Sequence, residues 1–217
     1  MAVSPDLPPL IVHTPRIEPA LAKRVRLVAF DVDGVLTDGG LYLGSATQDG
    51  AVAPFELKRY DVQDGLGMAM LRECGIKVAL ITGRVSEGVA MRARELRVDA
   101  CIQDRQARKL PALRRLCADW DIPLDDVAFV GDDLPDLAVM RAVGLAVAVG
   151  NATIEARRAA HLHLSARGGH GAVREFSEAL LHARDEWIDA VERYVRSRSE
   201  DSETETRSQD ISPEVPQ

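Results

Sequence analysis

The chain has 217 residues, of which 46% are hydrophobic and 28% are charged, and its formal net charge is −7. This length and apolar content suffice for one sizeable hydrophobic core, so a single domain is expected. The acidic balance excludes a basic nucleic-acid-binding face, and the lack of any run of eighteen apolar residues excludes a membrane-spanning helix.

The two ends of the chain differ in composition from the middle. Residues 1–20 contain five prolines and lack the cationic-then-apolar pattern of a signal peptide, so an irregular arm is expected there. Residues 197–217 carry six acids and two arginines among serines and threonines, which predicts a disordered acidic tail. The folded domain is therefore expected over residues 21–196.

The middle of the chain alternates apolar segments with helical patterns. The segments that read as strands lie at about 25–30, 78–81, 99–102, 127–130, 145–149 and 161–164. This order is typical of an α/β fold with a doubly wound, Rossmann-like parallel sheet. Apolar residues then recur every three or four positions from Val173 to Val195, which predicts one final helix with a single buried stripe.

The first strand ends in Asp31-Val32-Asp33-Gly34. Ionised carboxylates are costly to bury, so we expect both acids at the carboxyl end of the strand, where α/β sheets bind ligands. A glycine at this point lets backbone amides approach an anion closely. Taken alone, the motif also fits a hairpin turn, whereas a calcium loop fits poorly because no further acids follow at alternate positions.

The second strand ends in Thr82-Gly83-Arg84, and Lys109 precedes a later helical pattern. The threonine hydroxyl and the next amide can hold phosphate oxygens, and the planar fork of Arg84 suits a phosphate or carboxylate. Ser86 is predicted to cap the following helix. Taken singly, these features fit an ordinary strand-to-helix turn and a solvated lysine.

The fourth strand ends in Gly131-Asp132-Asp133, followed closely by Asp136. Asp132 follows its strand as Asp31 follows the first, whereas Asp133 and Asp136 also fit helix capping. Since parallel strands end at one edge of a sheet, Asp31, Asp33 and Asp132 are predicted to converge. Their mutual repulsion calls for a divalent cation, and few carboxylate ligands with room for water and phosphate suit Mg²⁺.

Residues 31–37, Thr82, Lys109 and Gly131-Asp132-Asp133 together resemble the four motifs of the haloacid dehalogenase-like phosphatases, a likeness that spans roughly residues 24–195. The resemblance implies an aspartyl-phosphate on Asp31, with Asp33 as general acid and then general base. It implies that Mg²⁺ is held by the Asp31 carboxylate, the Asp33 carbonyl and Asp132. Thr82 and Lys109 would hold the phosphoryl oxygens. Asp133 and Asp136 would orient Lys109 or metal-bound water.

Only about forty-five residues separate the first two motifs, so this resembles a capless member with a projecting β-hairpin over residues 39–43 and 55–60. The layout, including the late motif at residues 168–175, most closely resembles the 3-deoxy-D-manno-octulosonate 8-phosphate phosphatases of lipopolysaccharide synthesis. That family implies a homotetramer in which the hairpin and the late loop approach a neighbour's active site. It also implies substrate contacts from Asp64, Gly65, Arg84, Arg92 and Lys109.

Three positions depart from the family pattern. Histidine or asparagine is common at the position of Asp61, and arginine is common at the positions of Gln63 and His170. A nine-carbon acid sugar 9-phosphate phosphatase is one alternative, and fewer cations for a sugar carboxylate also leave open another sugar phosphatase. A non-catalytic accessory module is a further alternative, although the intact Asp31 and Asp33 argue against it.

The three cysteines are odd in number and include Cys74 and Cys117 in apolar helical patterns. Buried free thiols are therefore expected, which is consistent with a reducing cytoplasm.

Overall fold

The computed structural model describes residues 15–48 and 51–199 and contains eight strands in this range. They are β1 (Leu27–Phe30), β2 (Tyr42–Gln48), β3 (Ala51–Leu57), β4 (Lys77–Thr82), β5 (Ala100–Gln103), β6 (Val127–Gly131), β7 (Leu145–Ala148) and β8 (Leu162–His163). Six of them form one parallel sheet in the order β5-β4-β1-β6-β7-β8. The predicted α/β architecture is confirmed.

Helices cover both faces of this sheet. They are α1 (Pro19–Arg24), α2 (Val62–Glu73), α3 (Glu87–Leu96), α4 (Lys109–Asp119), α5 (Leu137–Met140), α6 (Ile154–Ala159), α7 (Ala172–Ala183) and α8 (Trp187–Ser199). Alternate β1 residues point to opposite faces, so Val28 and Phe30 pack with α2 and α7 while Leu27 and Ala29 pack with α4 and α5. Burial of both faces explains the continuous apolar runs of these strands.

The projecting hairpin is confirmed as a separate two-stranded sheet of β2 and β3, with Tyr42 opposite Leu57. Its strands expose several large apolar side chains, namely Tyr42, Leu43, Val52, Phe55 and Leu57. The alternative hairpin at Asp33-Gly34 does not form, because the backbone there makes successive turns that bring the amides of Leu36 and Thr37 back to the carbonyl of Val32.

The single final helix was a wrong prediction, because the chain forms α7 and α8 with a break at residues 184–186. Asp185 adopts a left-handed conformation with φ of 61°, which interrupts the helix between α7 and α8. Arg184 instead donates to the carbonyls of Ala22 and Val25 at the end of α1. The apolar spacing continues across the break, although Val195 at its far end is exposed.

Several predicted boundaries shift by a few residues. The segment predicted to begin at 25 forms a strand only from Leu27, because Val25 caps the end of α1. Helix α1 begins at Pro19 and Ile17 is buried, so the irregular arm ends before residue 19; residues 1–14 lie outside the described ranges. Helix α8 continues to Ser199, beyond the expected boundary at 196, and the rest of the predicted tail lies outside the described ranges.

All three cysteines are free, but only Cys117 is buried. Cys74 is half-buried, and Cys101 is exposed because it lies on β5, the edge strand of the sheet. The prediction of buried thiols is therefore correct for one cysteine and wrong for Cys101. Within the described ranges, no helix is both long enough and apolar enough to cross a membrane.

Candidate active site

The site lies where the strand order reverses, at the carboxyl end of β1 between β4 and β6. Asp31 directly follows β1, Thr82 is the last residue of β4, and Asp132 directly follows β6. Helices leave the two neighbouring strands toward opposite faces at such a point, which opens a crevice above β1. The parallel register therefore brings together three side chains that lie far apart in sequence.

Asp31 and Lys109 form a buried ion pair at the bottom of this crevice. The Lys109 Nζ atom lies 2.7 Å from Asp31 Oδ1 and 2.6 Å from Asp136 Oδ1. Burial, reinforced by the charge of Asp136, raises the pKa of Asp31 to about 7. Burial alone would lower the pKa of Lys109, but the two carboxylates reverse that effect and raise it. Lys109 is thus held as a cation between two acids.

Asp132 completes an acidic cluster with Asp31 and Asp136, since one carboxylate oxygen from each lies within 4.8 Å of the others. Burial and the charges of Asp31 and Asp136 raise the pKa of Asp132 to about 8. Gly34, with φ of 95°, passes so close that any side chain there would overlap the Asp132 carboxylate. The site therefore gathers three acidic side chains around the ammonium of Lys109.

Both oxygens of Asp136 already have protein partners. Oδ1 accepts from Lys109, and Oδ2 accepts from the amides of Asp132 at 2.9 Å and Asp133 at 3.3 Å. Asp133 in turn caps the Leu134 amide at 2.7 Å, so the capping interpretation holds for both acids. Asp136 orients Lys109 and the Asp132 backbone, which leaves Asp31 and Asp132 as the side chains available to a metal ion.

Asp33 has two cationic neighbours, Lys58 and Arg84, of which only Arg84 was predicted from the sequence to be a site residue, and then as a substrate contact. The Lys58 ammonium donates to Asp33 Oδ1 and lies 3.5 Å from Glu56. Arg84 lies 3.8 Å from the other Asp33 oxygen and 2.7 Å from Glu56. Glu56 and Lys58 stand two residues apart at the end of the hairpin, a spacing that puts both on one face of an extended chain. That spacing was the only sequence signal for them.

The cavity of about 270 Å³ above β1 unites most of the predicted residues; it is lined by Asp31, Asp33, Thr82, Gly83, Arg84, Ala107, Lys109, Asp132, Asp133, Pro135 and Asp136. The Thr82 side chain is buried and accepts from the Arg84 amide at 3.2 Å. All four predicted catalytic side chains and the three predicted metal ligands thus lie in or beside one crevice.

A second cavity of about 880 Å³ adjoins this site between the hairpin and α3. Arg92 lines it, with its guanidinium 5.7 Å from the ring of Tyr60. Gly65 packs directly against Arg92, since a side chain on Gly65 would meet the Arg92 guanidinium at 2.8 Å. Of the substrate contacts implied by resemblance, Arg84, Arg92 and Lys109 reach a cavity.

Asp64 and Gly65 line neither cavity. Asp64 is only 2% exposed and accepts from the backbone amide of Arg174 at 2.9 Å. Direct substrate contact by these two residues therefore has no support in this geometry. The unusual Asp61 has a local role as well, since its side chain caps α2 by accepting from the Gln63 amide at 2.8 Å.

Comparisons with known proteins agree with this geometry. A family model of haloacid dehalogenase-like hydrolases matches residues 100–174. The 3-deoxy-D-manno-octulosonate 8-phosphate phosphatase of Yersinia pestis is 40% identical over 164 residues, covering 76% of this chain and 83% of that protein.

Two solved structures have the same fold. A probable YrbI family phosphatase from Pseudomonas syringae is 41% identical with a TM-score of 0.73, covering 82% of this chain and 96% of that one. The 3-deoxy-D-manno-octulosonate 8-phosphate phosphatase of Moraxella catarrhalis, solved with magnesium, phosphate and KDO, is 38% identical with a TM-score of 0.73. It covers 81% of this chain and 97% of that one.

Proposed function

Because the chain belongs to the 3-deoxy-D-manno-octulosonate 8-phosphate phosphatase family of haloacid dehalogenase-like hydrolases, we propose that it hydrolyses this sugar phosphate to the sugar acid and phosphate. The observation that carries the proposal is the placement of Asp31. Its carboxylate lies at the reversal point of the sheet, paired with Lys109 and beside Asp132. This arrangement presents a nucleophile to a phosphoryl group whose negative charge nearby groups can neutralise.

In the first half-reaction, an Asp31 carboxylate oxygen attacks phosphorus, and the bond from phosphorus to the sugar oxygen breaks. Asp33 delivers a proton to that departing oxygen. Asp33 then removes a proton from a water molecule, whose oxygen attacks phosphorus and releases Asp31 and inorganic phosphate. Lys58 and Arg84 hold the Asp33 carboxylate from two sides and fix its direction throughout.

Thr82 and Lys109 act on the phosphoryl oxygens. Both side chains are buried in the wall of the crevice, so their dipole and charge act at low local dielectric and need no reorganisation. Asp136 keeps the Lys109 ammonium aimed at the crevice through the 2.6 Å contact. Loss of Asp136 would leave this lysine paired with the nucleophile alone.

The donor set fits Mg²⁺. Asp31 and Asp132 supply carboxylate oxygens within 4.8 Å of one another, and the Asp33 carbonyl is the proposed third protein ligand. The solved Moraxella catarrhalis relative holds a magnesium ion. When bound, the ion supplies charge neutralisation for the phosphoryl group and for the acidic cluster.

The larger cavity suits the sugar end of the substrate. Its lining includes Lys58, which pairs with Asp33, and Arg92, whose guanidinium is a cation suited to a sugar carboxylate. The exposed apolar face of the hairpin supports a homotetramer in which a neighbouring copy covers this opening. The three free thiols support action in the reducing cytoplasm.

The test is phosphate release from a panel of sugar phosphates that includes the eight-carbon and nine-carbon acid sugars and neutral hexose phosphates. We expect the eight-carbon acid sugar to give the highest kcat/KM. Asp31→Asn should abolish turnover without altering the circular dichroism spectrum, whereas Asp119→Asn, an exposed site on α4, should leave turnover unchanged. Full activity in Asp31→Asn would refute the assigned nucleophile, and preference for a neutral sugar would refute the substrate class.

A further inference from the structure

The glycine-rich segment 168–171 lies directly on the loop that follows β1. The Gly169 amide donates to the Val35 carbonyl at 2.9 Å. A side chain on Gly168 would overlap the Gly34 carbonyl, and one on Gly169 would overlap the backbone at Thr37-Asp38. The catalytic loop, which carries Asp31 and Asp33, is therefore packed backbone to backbone against this segment.

Two polar side chains hold the segment in place. The Asn151 side chain accepts from the Gly168 amide at 2.7 Å and donates to the Gly34 carbonyl at 3.4 Å, so it bridges the segment to the catalytic loop. Glu175, in the first turn of α7, accepts from the amides of Ser165 and Ala166 at 3.0 and 2.7 Å. The position of the segment thus depends on where α7 begins.

The beginning of α7 lacks a local cap. Its N-cap residue is Gly171, whose φ is 88° and which has no side chain to accept from the first amides of the helix. Asp64 on α2 supplies the missing acceptor, because its Oδ1 atom lies 2.9 Å from the Arg174 amide although the two residues are 110 positions apart. A carboxylate at a helix N-terminus also interacts favourably with the helix dipole.

Close contact between the helices makes this capping possible. Gly67, one turn after Asp64, lies against α7, where even a methyl group would meet the Arg174 α-carbon at 3.1 Å and the Ser177 hydroxyl at 3.0 Å. The small residue lets α2 approach α7 closely enough for the short Asp64 side chain to reach. The Asp64-Gly67 pair therefore joins the first turns of α7 to α2.

We infer that Asp64 is a positioning residue for phosphoryl transfer, which acts through α7 and segment 168–171 on the catalytic loop. This inference rests on the proposed phosphatase function. Without the cap, the first turn of α7 loosens, and the support that segment 168–171 gives to Gly34 and Val35 weakens. Asp31 and Asp33 then lose alignment, whereas Thr82 and Arg92 lie on β4 and α3, outside α7 and segment 168–171.

The test compares Asp64→Ala, Asp64→Asn and a control, Glu18→Ala, in the purified full-length protein with Mg²⁺ and the best substrate of the panel. Glu18 caps α1 by accepting from the Leu21 amide at 2.8 Å, and α1 contains no residue of α7, of segment 168–171 or of the catalytic loop. We expect Asp64→Ala to lower kcat about tenfold with KM within about twofold, a loss comparable to one helix cap. Asparagine retains an acceptor oxygen, so Asp64→Asn should restore most of kcat.

Hydrogen exchange supplies a readout that does not depend on activity. In Asp64→Ala, amides of segments 165–175 and 31–38 should exchange faster than in wild type, whereas Glu18→Ala should change neither segment. Should Asp64→Ala fail to fold, Asp64→Leu takes its place, because leucine keeps the branched shape of the side chain, although its methyl groups are larger, and removes the acceptor.

Three outcomes would overturn the inference: a raised KM at unchanged kcat, which indicates a substrate contact; a lower Tm with normal kcat, which indicates structural support alone; or unchanged exchange at 31–38. If wild-type protein hydrolyses no substrate, the proposed function fails, while the exchange data still decide whether Asp64 positions the catalytic loop.

Discussion

Replacement of Lys58 by methionine tests how Asp33 is held. The Lys58 side chain is only 2% exposed, whereas its partners Asp33 and Glu56 retain 24% and 20% exposure. Removal of one partner from a fully buried ion pair costs about 3–5 kcal/mol, and the partial exposure of the two carboxylates reduces the expected loss of stability to about 2–3 kcal/mol. Methionine is one atom shorter than lysine and keeps most of its apolar stem, so the change chiefly removes the charge.

The catalytic effect follows from the remaining neighbour of Asp33. Once Lys58 is neutral, Arg84 at 3.8 Å is the cation left beside Asp33 among the contacts described, and it is half exposed and shared with Glu56. The carboxylate then turns toward Arg84 and away from the leaving oxygen. We expect kcat to fall about 10- to 100-fold, which corresponds to about 1.4–2.7 kcal/mol in the barrier, with a smaller change in KM.

The assay is steady-state phosphate release together with urea unfolding. Lys77→Met is the matched control, because Lys77 pairs with Asp99 at 3.3 Å on the surface and lies far from the site. The Lys77→Met change should lower the free energy of unfolding by less than about 1 kcal/mol and leave kcat unchanged. Equal kcat values for Lys58→Met and wild type would refute the assignment of Lys58 as the group that holds Asp33.

Three further predictions concern the metal, pH and assembly. Chelation by EDTA should stop turnover and Mg²⁺ should restore it, so full activity in chelator would contradict the role of Asp132. Burial raises the pKa of Asp64 to about 6, so the folded state keeps the carboxyl proton to a higher pH than the unfolded state does. The free energy of unfolding therefore falls as the pH rises from about 4 to 6, and the loss levels off at about 3 kcal/mol. Asp64→Asn should therefore gain more Tm over wild type at pH about 7.5 than at about 4, and an equal gain at both would contradict this reading. Replacement of the exposed Leu43 and Val52 by serine should shift a tetramer to smaller species in light scattering, and a monomeric wild type would refute the proposed assembly.

Much of the site was predictable from the sequence because a parallel sheet converts strand ends into neighbours. Asp31, Thr82 and Asp132 each stand at the end of an apolar run, and they meet because β4, β1 and β6 are neighbours in the sheet. Lys109 was recognisable only as part of the set, since its role depends on burial between Asp31 and Asp136.

Residues whose role depends on long-range packing could not be predicted in the same way. Lys58 reads as a surface charge because its partner Asp33 lies 25 residues earlier, on the far side of the hairpin. The resemblance suggested substrate contact by Asp64, but the approach of α7 turns its carboxylate away from both cavities. The break at Asp185 was missed because the apolar spacing carries no information on φ.

The two ends of the crevice differ in how much change they can tolerate. On the sheet side, one added methyl group would overlap the Asp132 carboxylate at Gly34 or the Gly34 carbonyl at Gly168. On the opposite side, the hairpin and α3 enclose the larger cavity of about 880 Å³, and several side chains of the hairpin are exposed there. New substrates should therefore be reachable by changes in the hairpin and α3 alone, because the phosphate-cleaving end can stay as it is while the sugar-binding end is rebuilt.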